Sequence, residues 1–147
     1  MPDRPEREPF EATVARLRSG YEAFNRRDIE AVMRFLNSDI VWRQRRQHPV
    51  GGTYEGRDVV ERDVLEAIHE QFVDYRIEPV EFVERGDHVV VVLHQSGEGR
   101  RSGVPVEGTI VHVLRHEAGR AAELRAFEDK PEAFAYLDSL GPADPGD

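Results

Sequence analysis

The feature that most constrains the fold is a change in the spacing of apolar residues about halfway along the chain. Up to Val73, apolar side chains recur mainly every three or four positions, which is the period of one face of an α-helix. After Val73 they alternate with polar side chains in four stretches, which is the period of β-strands. The change predicts a single α+β domain with helices first and a mainly antiparallel sheet second.

Three helices are predicted before Val73. The apolar stripe of the first, which begins near Pro9, consists of Phe10, Val14, Leu17, Tyr21 and Phe24. Asp28 is the predicted N-cap of a second, short helix with the apolar residues Ile29, Val32, Phe35 and Leu36. A third helix is predicted to start near Arg57, with the apolar residues Val60, Val64, Leu65, Ile68 and Phe72.

Strands and turns dominate the rest of the chain. A short strand is predicted at residues 40–42, before a polar loop at 43–52. Four further strands are predicted at residues 75–84, 87–98, 105–115 and 120–129, followed by a short helix at 131–140. We therefore expect one domain over residues 9–140, with the charged or proline-rich ends 1–8 and 141–147 as disordered tails.

Composition removes several classes of function. The chain has no cysteine, which excludes disulfides, thiolate catalysis and thiolate metal sites. Its net charge of −9 argues against a nucleic-acid partner. No apolar run approaches the length of a membrane span, and the first residues do not resemble a signal peptide, so we expect a cytoplasmic protein. The histidines lack metal-ligand spacing and no glycine-rich phosphate loop is present, so neither a metal nor a cofactor is expected.

Strand alternation predicts which side chains face inward. On the last two strands, the inward face is predicted to carry Ile110, His112, Ala122, Leu124, Ala126 and Glu128. Val111 and Val113 then fall on the opposite face, which reads as a solvent or dimer surface. The opposite register, with these two valines in the core, remains open.

Two of the inward residues can carry a proton. The imidazole of His112 has an ordinary pKa near neutrality, so it can serve as a general acid or base. The alternative is a core histidine satisfied by a neighbouring group. Glu128 could orient His112 or act as a base with a raised pKa, or it could lie in water at the strand end.

Other residues are candidates for binding a ligand. Trp42 and Tyr54 could form an aromatic wall for a flat ring, although core packing is an equal alternative for Trp42. Arg43, Arg45 and Arg46 form a basic cluster that could recognise a carboxylate or phosphate, or that could be a solvated loop.

Several segments in order resemble a known family. They are Tyr21-Glu-Ala-Phe-Asn-Arg-Arg-Asp28, Asp39-Ile-Val-Trp42, Tyr54-Glu-Gly-Arg57, the Gly86-Asp87 hairpin, Gly103-Val-Pro-Val-Glu107, His112-Val and Gly119-Arg. Together they resemble the SnoaL-like polyketide cyclases of the nuclear-transport-factor-like superfamily, which also contains ketosteroid isomerase. The resemblance spans residues 9–140 and implies a cone-shaped roll of helices and curved sheet around one pocket, usually in a homodimer.

The resemblance also implies roles for individual residues. In SnoaL-like cyclases a histidine and an aspartate on adjacent strands move protons at a carbon next to carbonyl groups. His112 matches that histidine, but Ala126 stands where the aspartate would be. In ketosteroid isomerase a general-base aspartate precedes a Pro-Val-Gly segment, so His48, before Pro49, occupies the matching position here. The alternative is an exposed loop histidine without a catalytic role, and the sequence favours that alternative.

These observations favour an enzyme that binds an apolar, ring-containing carbonyl compound. His112 would act as general acid or base, with His48 or Glu128 as partner, and Trp42, Tyr54, Ile110, Leu124 and Ala126 would line the site. The reaction class would be isomerisation or cyclisation. A non-catalytic hydrophobic binding module is the first alternative, because Ala126 carries no acid. An epoxide hydrolase or dehydratase of the same fold is the second.

Overall fold

A computed structural model describes residues 8–141. The expected tails fall almost entirely on residues 1–7 and 142–147, which lie outside the described residues. The helices are α1 (Phe10–Asn25), α2 (Ile29–Met33), α3 (Arg57–Val60), a π-helical segment (Glu61–Glu66), α4 (Ala67–Gln71) and α5 (Lys130–Ser139). The strands are β1 (Leu36–Gln44), β2 (Gly52–Glu55), β3 (Phe72–Arg85), β4 (His88–Gly99), β5 (Pro105–Glu117) and β6 (Arg120–Phe127).

The N-terminal helices form where the apolar stripe and the caps predict them. α1 buries Leu17, Tyr21 and Phe24 against the sheet. Asp28 caps α2, because its carboxylate accepts the backbone N–H of Ala31 at 3.1 Å. Asp129 caps α5 in the same way, accepting the N–H of Glu132 at 2.9 Å.

The second helix is shorter than predicted. It ends at Met33, and β1 begins at Leu36, so the assignment of Phe35 and Leu36 to the helix was wrong. Neighbouring apolar residues fit either period, and here pairing of β1 beside β6 decides the outcome. The predicted loop at 43–52 ends in the short strand β2, which pairs antiparallel with β1.

α3, the π-helical segment and α4 follow one another without a break from residue 57 to residue 71. They bury Val60, Val64, Leu65 and Ile68 as the third stripe predicted. Phe72, which also fits the stripe, is instead the first residue of β3.

The six strands form one open sheet in the order β2-β1-β6-β5-β4-β3. β3 to β6 pair antiparallel in sequence order, which confirms the predicted meander, and β1 pairs parallel with β6. No helix among residues 8–141 is long and apolar enough to cross a membrane.

Helices pack on both faces of the sheet. The inner face contacts α1 and the third helical region in one apolar cluster that includes Trp42, Ile110 and Leu124. On the outer face, Val111 and Val113 are 0% and 2% exposed, because α5 packs over them with Ala133 and Leu137. The predicted solvent or dimer surface at Val111 and Val113 was therefore wrong, although their outward direction was correct.

A β-bulge changes the inward register at the start of β6. His112 pairs with Ala126, and Leu114 pairs with Leu124, but beyond the bulge His116 pairs with Ala121. Ala121, not Ala122, consequently occupies the inner face, and the prediction for Ala122 was wrong.

Candidate functional site

An elongated cavity lies between the inner face of the sheet and the helices. Its empty volume, with the open solvent at its mouth included, is about 880 Å³. Most of its walls are apolar. The apolar lining includes Leu17, Phe24, Val32, Phe35, Leu36, Leu65, Ile68, Ile77, Ile110, Leu114, Ala121, Leu124 and Ala126.

His112 and Tyr21 form a buried polar pair in this apolar wall. β5 carries His112 on the inner face, and α1 carries Tyr21 opposite it. The Tyr21 hydroxyl lies 2.8 Å from Nδ1 of His112, and their ring centroids are 5.8 Å apart. His112 is 3% exposed. Burial, with a smaller contribution from the charge of His48, lowers the pKa of His112 to about 3, so the ring is neutral near pH 7.

The surroundings of the pair favour one tautomer of His112. Burial raises the pKa of Tyr21, so the phenol keeps its proton. Among residues 8–141, Nδ1 of His112 is the one hydrogen-bond partner of this hydroxyl. A buried O–H without an acceptor is unfavourable, so Tyr21 donates to Nδ1. The proton of the neutral His112 ring then lies on Nε2, which makes Nε2 a hydrogen-bond donor.

Trp42 contributes a buried indole ring to the pocket wall. It lies on β1, next to Leu124 of β6, and its ring meets His112 edge to face at a centroid distance of 6.2 Å. The indole is 7% exposed, and its Nε1 finds no hydrogen-bond partner among the described residues. A buried N–H without an acceptor is unfavourable unless a ligand or solvent supplies one.

The loop after β1 forms the mouth of the pocket, and backbone contacts hold its shape. Residue 51 must be glycine here, because a Cβ would lie 2.4 Å from the carbonyl oxygen of Arg45 and 2.8 Å from that of Arg46. The Tyr54 hydroxyl contacts the carbonyl oxygens of Val50 and Gly51 at 2.9 and 3.1 Å. This turn brings the side chains of residues 45 and 48 to the cavity.

His48 is held in the mouth by its own loop. The backbone N–H of Val50 donates to Nδ1 of His48 at 3.1 Å, so the proton of the neutral ring lies on Nε2. Burial and the positive charge of Arg45 lower the pKa of His48 to about 4. His48 therefore also presents a donor, and the ring packs edge to face on Phe72 at 6.1 Å.

The sequence comparison decides the family. The model of the SnoaL-like domain family matches residues 17–124, which includes the second half of α1, the mouth loop, His112 and most of the inner face. The chain belongs to the SnoaL-like family. This confirms the resemblance inferred from the sequence.

Solved structures agree with that assignment. An NTF2-like protein of unknown function from Burkholderia pseudomallei is 29% identical, with a TM-score of 0.68 over 84% of this chain and 95% of that one. An NTF2-like protein from Burkholderia thailandensis is 28% identical, with a TM-score of 0.73 over 93% and 100%. TerC, crystallised with polyporic acid, is 25% identical, with a TM-score of 0.70 over 86% and 98%. No curated protein matches the chain in sequence.

Six of the eight predicted site residues line this SnoaL-like pocket. They are His112, His48, Trp42, Ile110, Leu124 and Ala126. Their functional roles stay predictions. Ala126 is the direct cross-strand partner of His112, so a methyl group lies beside the imidazole. The resemblance had implied an aspartate at this position.

The other two predicted residues have different positions. Glu128 was predicted to face inward, but β6 ends at Phe127, and Glu128 is exposed in the turn that leads to the cap of α5. Its backbone N–H contacts Glu132, and its side chain does not line the pocket. Tyr54 likewise does not line the pocket but supports the mouth loop from behind.

Sequence reasoning missed Tyr21 as a residue of the SnoaL-like pocket, and it did not single out Arg45. Tyr21 was assigned only to the core stripe of α1, because an apolar helix position gives no signal for its hydroxyl. Arg45 was placed in a basic cluster, but only the fold of the loop separates it from its exposed neighbour Arg46. Among residues 8–141 no group of three or more potential ligands could hold a metal ion.

Proposed function

We propose that this SnoaL-like domain binds an apolar, ring-containing carbonyl compound in the pocket, and that His112 assists an isomerisation or cyclisation of that compound. The observation that carries the proposal is the buried pair of Tyr21 and His112 in an otherwise apolar wall. A polar pair is unfavourable in such a place unless its groups are satisfied, so its free Nε2–H is suited to a ligand oxygen.

The geometry favours His112 as a hydrogen-bond donor, that is, as an acid and not as a base. Tyr21 orients the imidazole, and Nε2–H would donate to the carbonyl oxygen and stabilise negative charge that develops there. His48 was expected to act as a base, but with Nδ1 occupied by the Val50 N–H its neutral ring also donates from Nε2.

TerC supports the ring-containing class of ligand. That protein, one quarter identical to this chain, was crystallised with polyporic acid. The aromatic side chains of Phe24, Trp42 and Tyr75, which line the cavity, are compatible with a flat ring ligand here.

The test uses Trp42, the only tryptophan in the chain. A panel of polycyclic aromatic ketones would be titrated while Trp42 fluorescence is followed, and each mixture would then be analysed for product. We expect saturable quenching and a changed product, with turnover abolished in His112→Ala. The control is His94→Ala, which removes a surface histidine that pairs with Glu107 outside the pocket. Full turnover by His112→Ala would contradict the catalytic role.

A non-catalytic binding module is the second candidate. Ala126 beside His112 favours it, since the position of the expected acid holds only a methyl group. Saturable quenching of Trp42 with unchanged ligand would establish this alternative. An epoxide hydrolase gains no support, because no aspartate or glutamate of residues 8–141 lines the pocket.

The proposal includes two further expectations from the sequence and the family, a homodimer and a cytoplasmic location. The mass of one chain is 16.8 kDa. Light scattering that gives twice this value in dilute solution would support the dimer, and a single-chain mass would contradict it.

A further inference from the structure

We propose that the ligand of this pocket is an anion, namely an apolar ring compound with a carboxylate, phenolate or enolate oxygen, and that Arg45 binds that oxygen at the mouth. This inference rests on the proposed function and adds the charge of the ligand to it.

The charge of the pocket is opposite to the charge of the protein. Acidic residues outnumber basic ones and give the chain a net charge of −9. No acidic side chain of the described residues lines the cavity, however, while Arg16 and Arg45 do. A cavity that excludes carboxylates within an acidic protein creates a local potential that favours anions.

Arg16 already has its partners. Its guanidinium forms an ion pair with the carboxylate of Glu8 and donates to the carbonyl oxygen of Gly119 at 2.6 Å. These contacts close the end of the cavity near Gly119, and they leave Arg16 little charge to offer a ligand.

Arg45 has no such partner. It is only partly exposed, and its guanidinium makes no hydrogen bond or ion pair with any residue from 8 to 141. It lies close enough to His48 and Tyr75 for its positive charge to act on the pKa values of both, so the guanidinium faces the cavity. A partly desolvated cation without a counterion gains free energy when an anion binds beside it.

Three other polar side chains of the wall also present hydrogen-bond donors. Nε2 of His48 and Nε2 of His112 are donors for the reasons given above. The Gln44 side-chain oxygen accepts the N–H of Arg45 at 3.3 Å, which leaves the NH₂ group of Gln44 to donate. A row of donors suits an anionic oxygen, which can only accept hydrogen bonds.

The experiment uses two probes with the same ring, 2-naphthoate and its neutral methyl ketone 2-acetylnaphthalene. Calorimetry at pH 7 and low salt would give the affinity of each for the wild type, Arg45→Gln and Arg46→Gln. Arg46 is the matched control, because it is exposed in the same loop and does not line the cavity.

We expect 2-naphthoate to bind at least about tenfold more tightly than the ketone, as a charge-assisted hydrogen bond implies. Arg45→Gln should remove this preference and leave the affinity for the ketone within about twofold, whereas Arg46→Gln should keep the preference. Ketone binding equal to or tighter than naphthoate binding would overturn the inference and still support the proposed function. An equal loss of affinity for both ligands in Arg45→Gln would likewise overturn the inference and still support the proposed function. If neither probe binds the wild type, the proposed function and this inference are both contradicted.

Discussion

The two histidines of the pocket are held in different ways. His112 lies deep in the cavity, and its Nδ1 contacts a side chain from a helix 91 positions away in sequence. His48 lies at the mouth, and its Nδ1 accepts the backbone N–H of a residue two positions away. Both rings are neutral near pH 7, because burial is the main cause that lowers the pKa of each.

We therefore expect changes at the two histidines to have different effects. Changes at His112 should mainly affect the stability of the fold, and changes at His48 should mainly affect ligand binding. The contact of His112 forms only when α1 packs on the sheet, so changes there should alter the free energy of unfolding of the whole domain. The contact of His48 forms within one loop, so changes there should alter ligand affinity with less effect on the rest of the fold.

The largest expected effect concerns the stability of the protein in acid. Between pH 6.5 and about 3, an unfolded His112 binds a proton and the folded one does not. The free energy of unfolding therefore falls as the pH drops through this window, with a contribution from His112 of at most ~5 kcal/mol. Urea unfolding at a series of pH values measures this slope.

The comparison variant for this prediction is the double substitution His112→Leu with Tyr21→Phe, which removes both polar groups together. We expect its stability to depend less on pH than that of the wild type. His48→Ala should reduce the pH dependence of the free energy of unfolding by less, because His48 is only partly buried and its pKa lies nearer the ordinary value. If His48→Ala reduced the pH dependence of the free energy of unfolding more than the double substitution does, the contrast between the two histidines would be wrong.

Tyr21→Phe should have the next largest effect. It leaves Nδ1 of His112 buried without a partner, which costs about 1–3 kcal/mol of stability at pH 7. The control is Tyr75→Phe, whose hydroxyl contacts the partly exposed Gln95 at 2.8 Å. We expect the control to lose less free energy of unfolding in urea, and equal losses would show that the Tyr21 hydroxyl has no special role.

Gly51→Ala should distort the mouth alone. The new Cβ would collide with two backbone carbonyl groups, so the loop must shift at a cost of about 1–3 kcal/mol. We expect the NMR signals of the His48 ring to move and the affinity for 2-naphthoate to fall about tenfold. The signals of the His112 ring should stay in place. An equal change in the signals of both rings would contradict the claim that the mouth loop can change without affecting His112.

Tyr54→Phe should give the smallest effect. Its hydroxyl supports the carbonyl oxygens of Val50 and Gly51 near the surface, where water can replace it, so the loss is about 1 kcal/mol or less. The control is Tyr136→Phe on α5, whose hydroxyl makes no hydrogen bond with the described part of the chain. Thermal unfolding of the two variants tests this. A loss of stability from Tyr54→Phe as large as that from Tyr21→Phe would contradict the expected ranking of the two substitutions.

Strand alternation predicted the inward position of His112 because the period of a strand is a local property of the sequence. It failed at Ala122, since Ala121 and Ala122 are both small and apolar and the pattern cannot show which of them a bulge turns inward. It also failed at Glu128, where the cap of α5 ends the strand earlier than the apolar pattern does.

The polar contacts of the site could not be predicted in the same way. Tyr21 meets His112 through tertiary packing, and nothing in the spacing of the α1 stripe distinguishes its hydroxyl from a core ring. Arg45 differs from Arg46 only through the loop that Gly51 allows, and the sequence pattern does not show how Tyr54 of β2 contacts that loop.

The tautomers of the two histidines test most directly the claim that this pocket presents donors to its ligand. Long-range ¹H–¹⁵N correlation spectra of the ¹⁵N-labelled protein at pH 7 distinguish a protonated ring nitrogen from an unprotonated one. For both His112 and His48 we predict an unprotonated Nδ1 and a protonated Nε2. An unprotonated Nε2 on His112 would make it an acceptor that faces the ligand, and would contradict both the role assigned to Tyr21 and the donor character of the site.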